Sequence, residues 1–154
     1  MDTASYVGSA RMFIEHGAYV QPSNPEIVKT WNTPFYPLFI AANMVLFGDD
    51  LGVDAVILWQ IVFLYLTALI TYRIVLPHSG LAALVAQAIV LFNPNSLITL
   101  HYTQTETLFT LILMAAVYLL FRIGRDISLM QGVLLGALAG LGAMTRPVLF
   151  MPCW

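Results

Sequence analysis

Glu106 is the residue whose type and setting most invite a chemical reading. It opens an apolar stretch in "HYTQTETLF", where an ionisable group is costly unless a partner or a role compensates it. A hydrated place at a membrane interface, or a polar clasp with Tyr102, Thr103 or Thr105, is the alternative. Arg146, in "MTRPVLF", follows another apolar stretch and needs an anion. Glu106 would serve, and so would a phosphate, which suits the planar guanidinium fork; snorkelling to headgroups is the alternative. Asp2 and Lys29 are unremarkable singly, since an Asp before a helix is commonly an N-cap. His101 and Tyr102 stand at the approach to Glu106 and can touch a ligand, but a His-x4-Glu pair without a third ligand is no metal set. His16 and His78 read as surface residues. The lone Cys153 gives neither a disulfide nor a thiolate metal site, so no metal and no cofactor is expected. No glycine-rich phosphate loop, CxxC or GxSxG is present, which leaves nucleotide-dependent and serine-hydrolase chemistry without support.

These residues need a scaffold, and composition limits what it can be. Of 154 residues 60% are hydrophobic and 9% charged, with mean hydropathy +0.84, whereas soluble domains carry about 25% charged residues. So few charges cannot coat a water-facing surface, and a soluble globular protein is excluded. The net charge of -2 lacks the basic footprint of nucleic-acid binding. The expected fold is an all-α integral membrane protein, a polytopic helix bundle. About four transmembrane helices are predicted, near 55–76, 81–100, 103–121 and 127–146. The uncharged runs Ala55 to Tyr72 and Ile127 to Thr145 approach the roughly 20 residues a span needs. The run from Leu81 runs into Asn93-Pro94-Asn95 and spans only if the helix continues through a proline kink toward Leu100.

Arg73, Arg122 and Arg125 mark the cytoplasmic turns, because short inner loops collect Lys and Arg. Asp2, Glu15, Glu26, Asp49, Asp50, Asp54 and Glu106 then fall on the outer side, leaving Asp126 within. Residues 1–54 form a first non-cytoplasmic loop. In it Tyr6, Val7, Ala10, Phe13 and Ile14 recur at helical spacing, capped by Asp2 or Thr3 and ended by Gly17. This helix is expected at the membrane interface with Arg11 and Glu15 toward headgroups, though packing on a neighbouring helix gives the same pattern. The short run Phe35 to Phe47 reads as a re-entrant or interfacial helix returning the chain to Gly48-Asp49-Asp50. Because nothing before Met1 would translocate such a loop, and the chain stops just after a membrane exit, it is expected to be a piece truncated at both ends. Gly132, Gly136 and Gly140, with Ala139 and Ala143 beside them, form a small-residue stripe, which predicts that the last span is buried against another helix.

Four stretches in order, "DTASYVGSARMFIEHGAYV", "TWNTPFYPLFIAANMVLFG", "NPNSLITLHYTQTETLF" and "LLGALAGLGAMTRP", resemble the N-terminal half of the membrane module of GT-C glycosyltransferases. The resemblance is to members similar to protein O-mannosyltransferases and aminoarabinose transferases, in glycosyltransferase family 39. It implies transfer of a sugar, with inversion, from a polyprenyl-phosphate donor to a lipid, glycan or protein acceptor outside the cytoplasm, by a multi-pass protein of a prokaryotic plasma membrane. By resemblance Asp2 is the general base toward the acceptor hydroxyl, and Glu106 orients the acceptor or a cationic partner. Arg146 and Lys29 stabilise the departing phosphate, and Tyr36 lines the sugar pocket. Some relatives use a divalent metal, for which this sequence supplies no ligand set. Relatives often carry two acids at the loop opening where this chain has Asp2 alone.

Two other readings use the same residues. A small transporter or channel subunit would line a polar path with Glu106 and Arg146 and would show an internal repeat, which is absent. A non-catalytic assembly subunit would use the glycine stripe and leave the polar outer segment without a purpose.

Overall fold

The computed structural model describes residues 2–17, 33–100, 102–123 and 128–146. Over these the chain is all-helical, with α1 (Asp2–His16), α2 (Phe35–Phe47), α3 (Asp49–Val75), α4 (Gly80–Leu91), α5 (Pro94–Thr99), α6 (Glu106–Arg122) and α7 (Leu129–Thr145). Among the described residues one helix, α3, is long and apolar enough to cross a membrane, while α2, α4 and α7 are shorter apolar helices. It begins at Asp49, six residues before the predicted start at residue 55, with Asp49 and Asp50 in its first turn, where acids favour the positive end of the helix.

The expected span over 81–100 is not one helix. The α4 helix stops at Leu91, and Asn93 in extended conformation caps a separate α5, its side chain accepting from the Asn95 amide at 2.9 Å. Pro94 is the first residue of α5, a position where its missing N–H costs nothing. An Asn-Pro pair is a helix start, and here that local preference prevails over a kinked continuation. Caps set the other starts too. Ser79 accepts from Ala82 at α4, and Ser128 with Gln131 forms a reciprocal capping box at α7, each such cap being worth about 1 kcal/mol.

The helical hairpin of α2 and α3 is the centre of the structure. Gly48, the single residue between the two helices, has φ 90°, a conformation that glycine adopts without a Cβ clash. The chain therefore folds straight back, with Met44 against Gly52 and Tyr36 against Gln60. Gly52 allows the contact, since a Cβ there would lie 2.5 Å from the Met44 Cα. The predicted short helix over Phe35 to Phe47 thus has its expected bounds and returns the chain to Gly48. Around the hairpin, Ala10 of α1, Ile40 and Met44 of α2, Val56 of α3, and Leu108 and Ile112 of α6 form the buried core. Aromatic contacts run through it from Tyr6 to Tyr36 at 5.3 Å, edge to face, and on through Phe39 to Phe63.

The predicted α1 periodicity seats Tyr6, Val7, Ala10 and Phe13 on this core and leaves Ile14 exposed. Arg11 pairs with Asp49 at 2.8 Å. Among the described residues no helix covers the glycine stripe of α7, which was expected to pack against another helix. A Cβ at Gly132, Gly136 or Gly140 would meet nothing within 4 Å, and of α7 only Gly142 and Thr145 are buried. The reason is geometric: α7 meets α6 and the start of α2 through its other face and its C-terminal end. Leu81, Leu84 and Ile89 of α4, and Leu129, Val133 and Leu134 of α7, are likewise exposed, an apolar exterior that fits lipid or further membrane helices rather than water.

Candidate active site

Glu106 and Arg146 lie 40 positions apart in sequence, yet Arg146 Nη1 stands 3.5 Å from Glu106 Oε1. Helix ends bring them together. Glu106 is the first residue of α6 and Arg146 caps the C-terminus of α7 in extended conformation. The two helices pack antiparallel, so the positive end of one, carrying an acid, meets the negative end of the other, carrying a base. Both side chains are about 40% exposed, so the pair adds little to stability, of the order of 0–1 kcal/mol. A single 3.5 Å approach is an ion pair rather than a tight hydrogen bond. The guanidinium consequently keeps donors for a second anion.

The backbone on both sides of the pair is held by side chains from elsewhere. Gln60 Nε2 of α3 donates to Tyr36 OH at 2.7 Å and to the Gln104 carbonyl at 3.3 Å, two residues before Glu106. Thr33 Oγ1 donates to the Thr145 carbonyl at 2.7 Å, one residue before Arg146. Gln60 is the eleventh residue after Asp49 on α3, about 16 Å along the helix, so the pair sits well below the top of the hairpin. The uncharged amide inside "AVILWQIVFLY" was the signal that sequence reasoning passed over, and Thr33 had none.

Tyr36, expected to line a sugar pocket, is fully buried and reaches the pair only through Gln60 and Gln104. Burial pushes its phenol pKa up; the hydrogen bond from Gln60 works against this, while the nearby Glu106 carboxylate adds to it. Tyr102 is exposed, four residues before Glu106. Asp2 opens α1, with its side chain outside what is described, and Lys29 and His101 lie outside the described residues. Among the described residues no group of three or more His, Cys, Asp or Glu comes together.

A cleft of about 190 Å³ opens beside Glu106. It exists because α4 and α5 part at Asn93-Pro94, leaving a gap against α3 and α6. Glu106 thus faces two ways, toward Arg146 and toward this cleft. Among the described residues three buried polar atoms have no hydrogen-bond partner, Gln60 Oε1, Thr103 Oγ1 and Thr107 Oγ1, and of these Thr107 lines the cleft. Such atoms are rare in folded proteins and call for a water or a ligand.

A family model described as dolichyl-phosphate-mannose-protein mannosyltransferase matches residues 31–152. The matched stretch contains Tyr36, His101, Tyr102, Glu106 and Arg146, and starts after Asp2 and Lys29. No curated protein and no solved structure matches the chain. All-helical over its described residues, with a lipid-compatible exterior, an acid and a base joined at two helix ends, and a family match over most of its length, the chain belongs to the dolichyl-phosphate-mannose-protein mannosyltransferase family, membrane glycosyltransferases of the GT-C type.

Proposed function

We propose that this chain belongs to an inverting membrane transferase that moves a sugar from a polyprenyl-phosphate donor to a lipid, glycan or protein acceptor on the non-cytoplasmic side of a prokaryotic plasma membrane, within a polytopic bundle. The observation that carries this reading is the Glu106–Arg146 pair. Negative charge grows on the phosphate oxygen as the sugar leaves, and a pre-positioned guanidinium stabilises that charge more than the ground state. Arg146 is exposed enough to take the phosphate, and Glu106 holds the guanidinium in place before it arrives. Asp2 is assigned the acceptor proton, Lys29 a second contact to phosphate, and His101 and Tyr102 the surroundings of the sugar, while Tyr36, buried against Gln60, supports the segment before Glu106 from behind. Arg73 and Arg122 at the C-terminal ends of α3 and α6 support an outer position for the opposite, Glu106-bearing end.

The test is sugar transfer by the full-length protein in lipid nanodiscs, from a polyprenyl-phosphate-linked hexose. Arg146→Ala and Asp2→Asn are each expected to reduce turnover by at least about a hundredfold with the fold intact, the range for loss of one charge-stabilising or proton-transfer group. Turnover unchanged in Arg146→Ala removes the phosphate role, and turnover unchanged in Asp2→Asn removes the assigned base.

A further inference from the structure

We propose that the groove between α1 and α2 holds one chain of a zwitterionic membrane phospholipid with a primary-amine head, the head seated in a charged cleft at the top of the α2–α3 hairpin. The site shares no residue with the cleft beside Glu106, and it stands whether or not the transferase reading does. Leu38, Ala41, Ala42 and Val45 recur at the spacing of one helical face. With Phe13 and Ile14 of α1 they line an apolar groove of about 590 Å³, within the roughly 300–1,000 Å³ of small-molecule sites. Room exists because the two middle positions are alanines, and the groove runs about 10 Å along α2 from Val45 to Leu38. Ile14 and Val45 also line a second cleft of about 240 Å³, together with Arg11, Glu15 and Asp49. Groove and cleft are therefore continuous, and a ligand that fills both is an amphiphile.

Its orientation follows from the hairpin. Asp49 is the first residue of α3, the described helix that is long and apolar enough to cross a membrane, and Val45 lies nearer to it along the chain than Leu38 does. A head beside Asp49 and a chain directed toward Leu38 thus point inward from the end of the span, as a lipid of that leaflet does. Charge selects the head. Asp49 takes Arg11 side-on, through Nε at 3.0 Å and Nη2 at 2.8 Å, which leaves the Nη1 donors for a phosphate. Glu15 has His16 at 4.0 Å, too far for a hydrogen bond, so its exposed carboxylate is open to a cation. The cleft sets two acids, Glu15 and Asp49, against the one guanidinium, with Asp50 acting on it as well. That excess repels a purely anionic head, and an ammonium balances it. A primary ammonium donates hydrogen bonds to a carboxylate, whereas a quaternary one has none to give and is recognised by aromatic faces. Among the described residues no ring lines the cleft. The seated lipid ties α1, which carries Asp2, to the hairpin.

The test is native mass spectrometry of the full-length protein, delipidated in detergent and equilibrated at neutral pH with phosphatidylethanolamine, phosphatidylcholine or phosphatidylglycerol of the same chains. One phosphatidylethanolamine is expected to bind about threefold to tenfold more tightly than phosphatidylcholine, the range for one charge-assisted hydrogen bond at a partly exposed site, with phosphatidylglycerol weaker still. Glu15→Gln is expected to remove that preference. Ala42→Phe fills the groove and is expected to weaken all three lipids at least about tenfold, with the half-life of the lipid-free protein unchanged because Ala42 is exposed. Equal retention of the three lipids with no response to Glu15→Gln is ordinary lipid contact and overturns the inference. So does preferential retention of a polyprenyl phosphate that Ala42→Phe abolishes, which gives the groove to a sugar donor's chain. The readout is bound lipid rather than turnover, so failure here and failure of the transferase reading are told apart.

Discussion

Gly52→Ala tests the part of the structure on which the site depends. The Cβ introduced there lies 2.5 Å from the Met44 Cα, 2.7 Å from the Met44 nitrogen and 2.9 Å from the Asn43 carbonyl carbon. Ordinary contact starts at 3.4 Å, and all three atoms are backbone, so no side-chain rotation relieves the clash and α2 must move away from α3 by about 1 Å. Overpacking of this kind costs about 1–3 kcal/mol. The displacement also lengthens the Gln60 to Tyr36 bond at the other end of the hairpin, and with it the support of the segment before Glu106. Gly80→Ala is the control, because a Cβ there meets nothing within 4 Å. The assay is the half-life of the folded, monodisperse full-length protein at a fixed elevated temperature, suited to a membrane protein that unfolds irreversibly. Gly52→Ala is expected to shorten it about fivefold or more, 1 kcal/mol being about a factor of five, and Gly80→Ala to leave it unchanged. A half-life unchanged in Gly52→Ala would refute the packing of the hairpin.

Gln60→Leu leaves the Tyr36 hydroxyl and the Gln104 carbonyl without their shared donor, and is expected to destabilise the protein by about 1–3 kcal/mol and to lower transfer; thermal inactivation and turnover measure the two effects. Tyr36 is buried neutral with its pKa raised, so the unfolded chain ionises first as pH rises past about 10. Its contribution to stability is whole below that pH and is lost above it, and Tyr36→Phe should flatten the alkaline limb of a stability profile. Gly136→Leu is expected to leave the half-life unchanged, since the space beside Gly136 is open; a shortened half-life in the full-length protein would show that another helix covers this face.

Much of the framework was legible because it follows from local rules. Charge-free apolar runs gave α3 and α7, and the run Phe35 to Phe47 ended at a glycine suited to a sharp turn. The pairing of Glu106 with Arg146 was legible as a need, since each was a costly charge near an apolar helix and each lacked a near neighbour in sequence. What was not legible required the third dimension. Nothing in the spacing says that Tyr36 faces Gln60, because that depends on α2 folding back through Gly48 with Gly52 clearing its path. The break at Asn93-Pro94 was visible, but its consequence, a cleft against α3 and α6, was not. The partner of the glycine stripe was not legible, because close spacing of small residues shows that a helix can approach but not which one, and among the described residues none does.

The central claim is that Glu106 and Arg146 act as one unit in sugar transfer. The most direct measurement is a double-mutant cycle on kcat/KM for transfer by the full-length protein, with Glu106→Gln, Arg146→Gln and the two combined. Residues that act together lose most of their effect in the first substitution, so the double variant should be about as slow as the slower single variant. Losses that multiply, or a Glu106→Gln variant as fast as the natural protein, would contradict it.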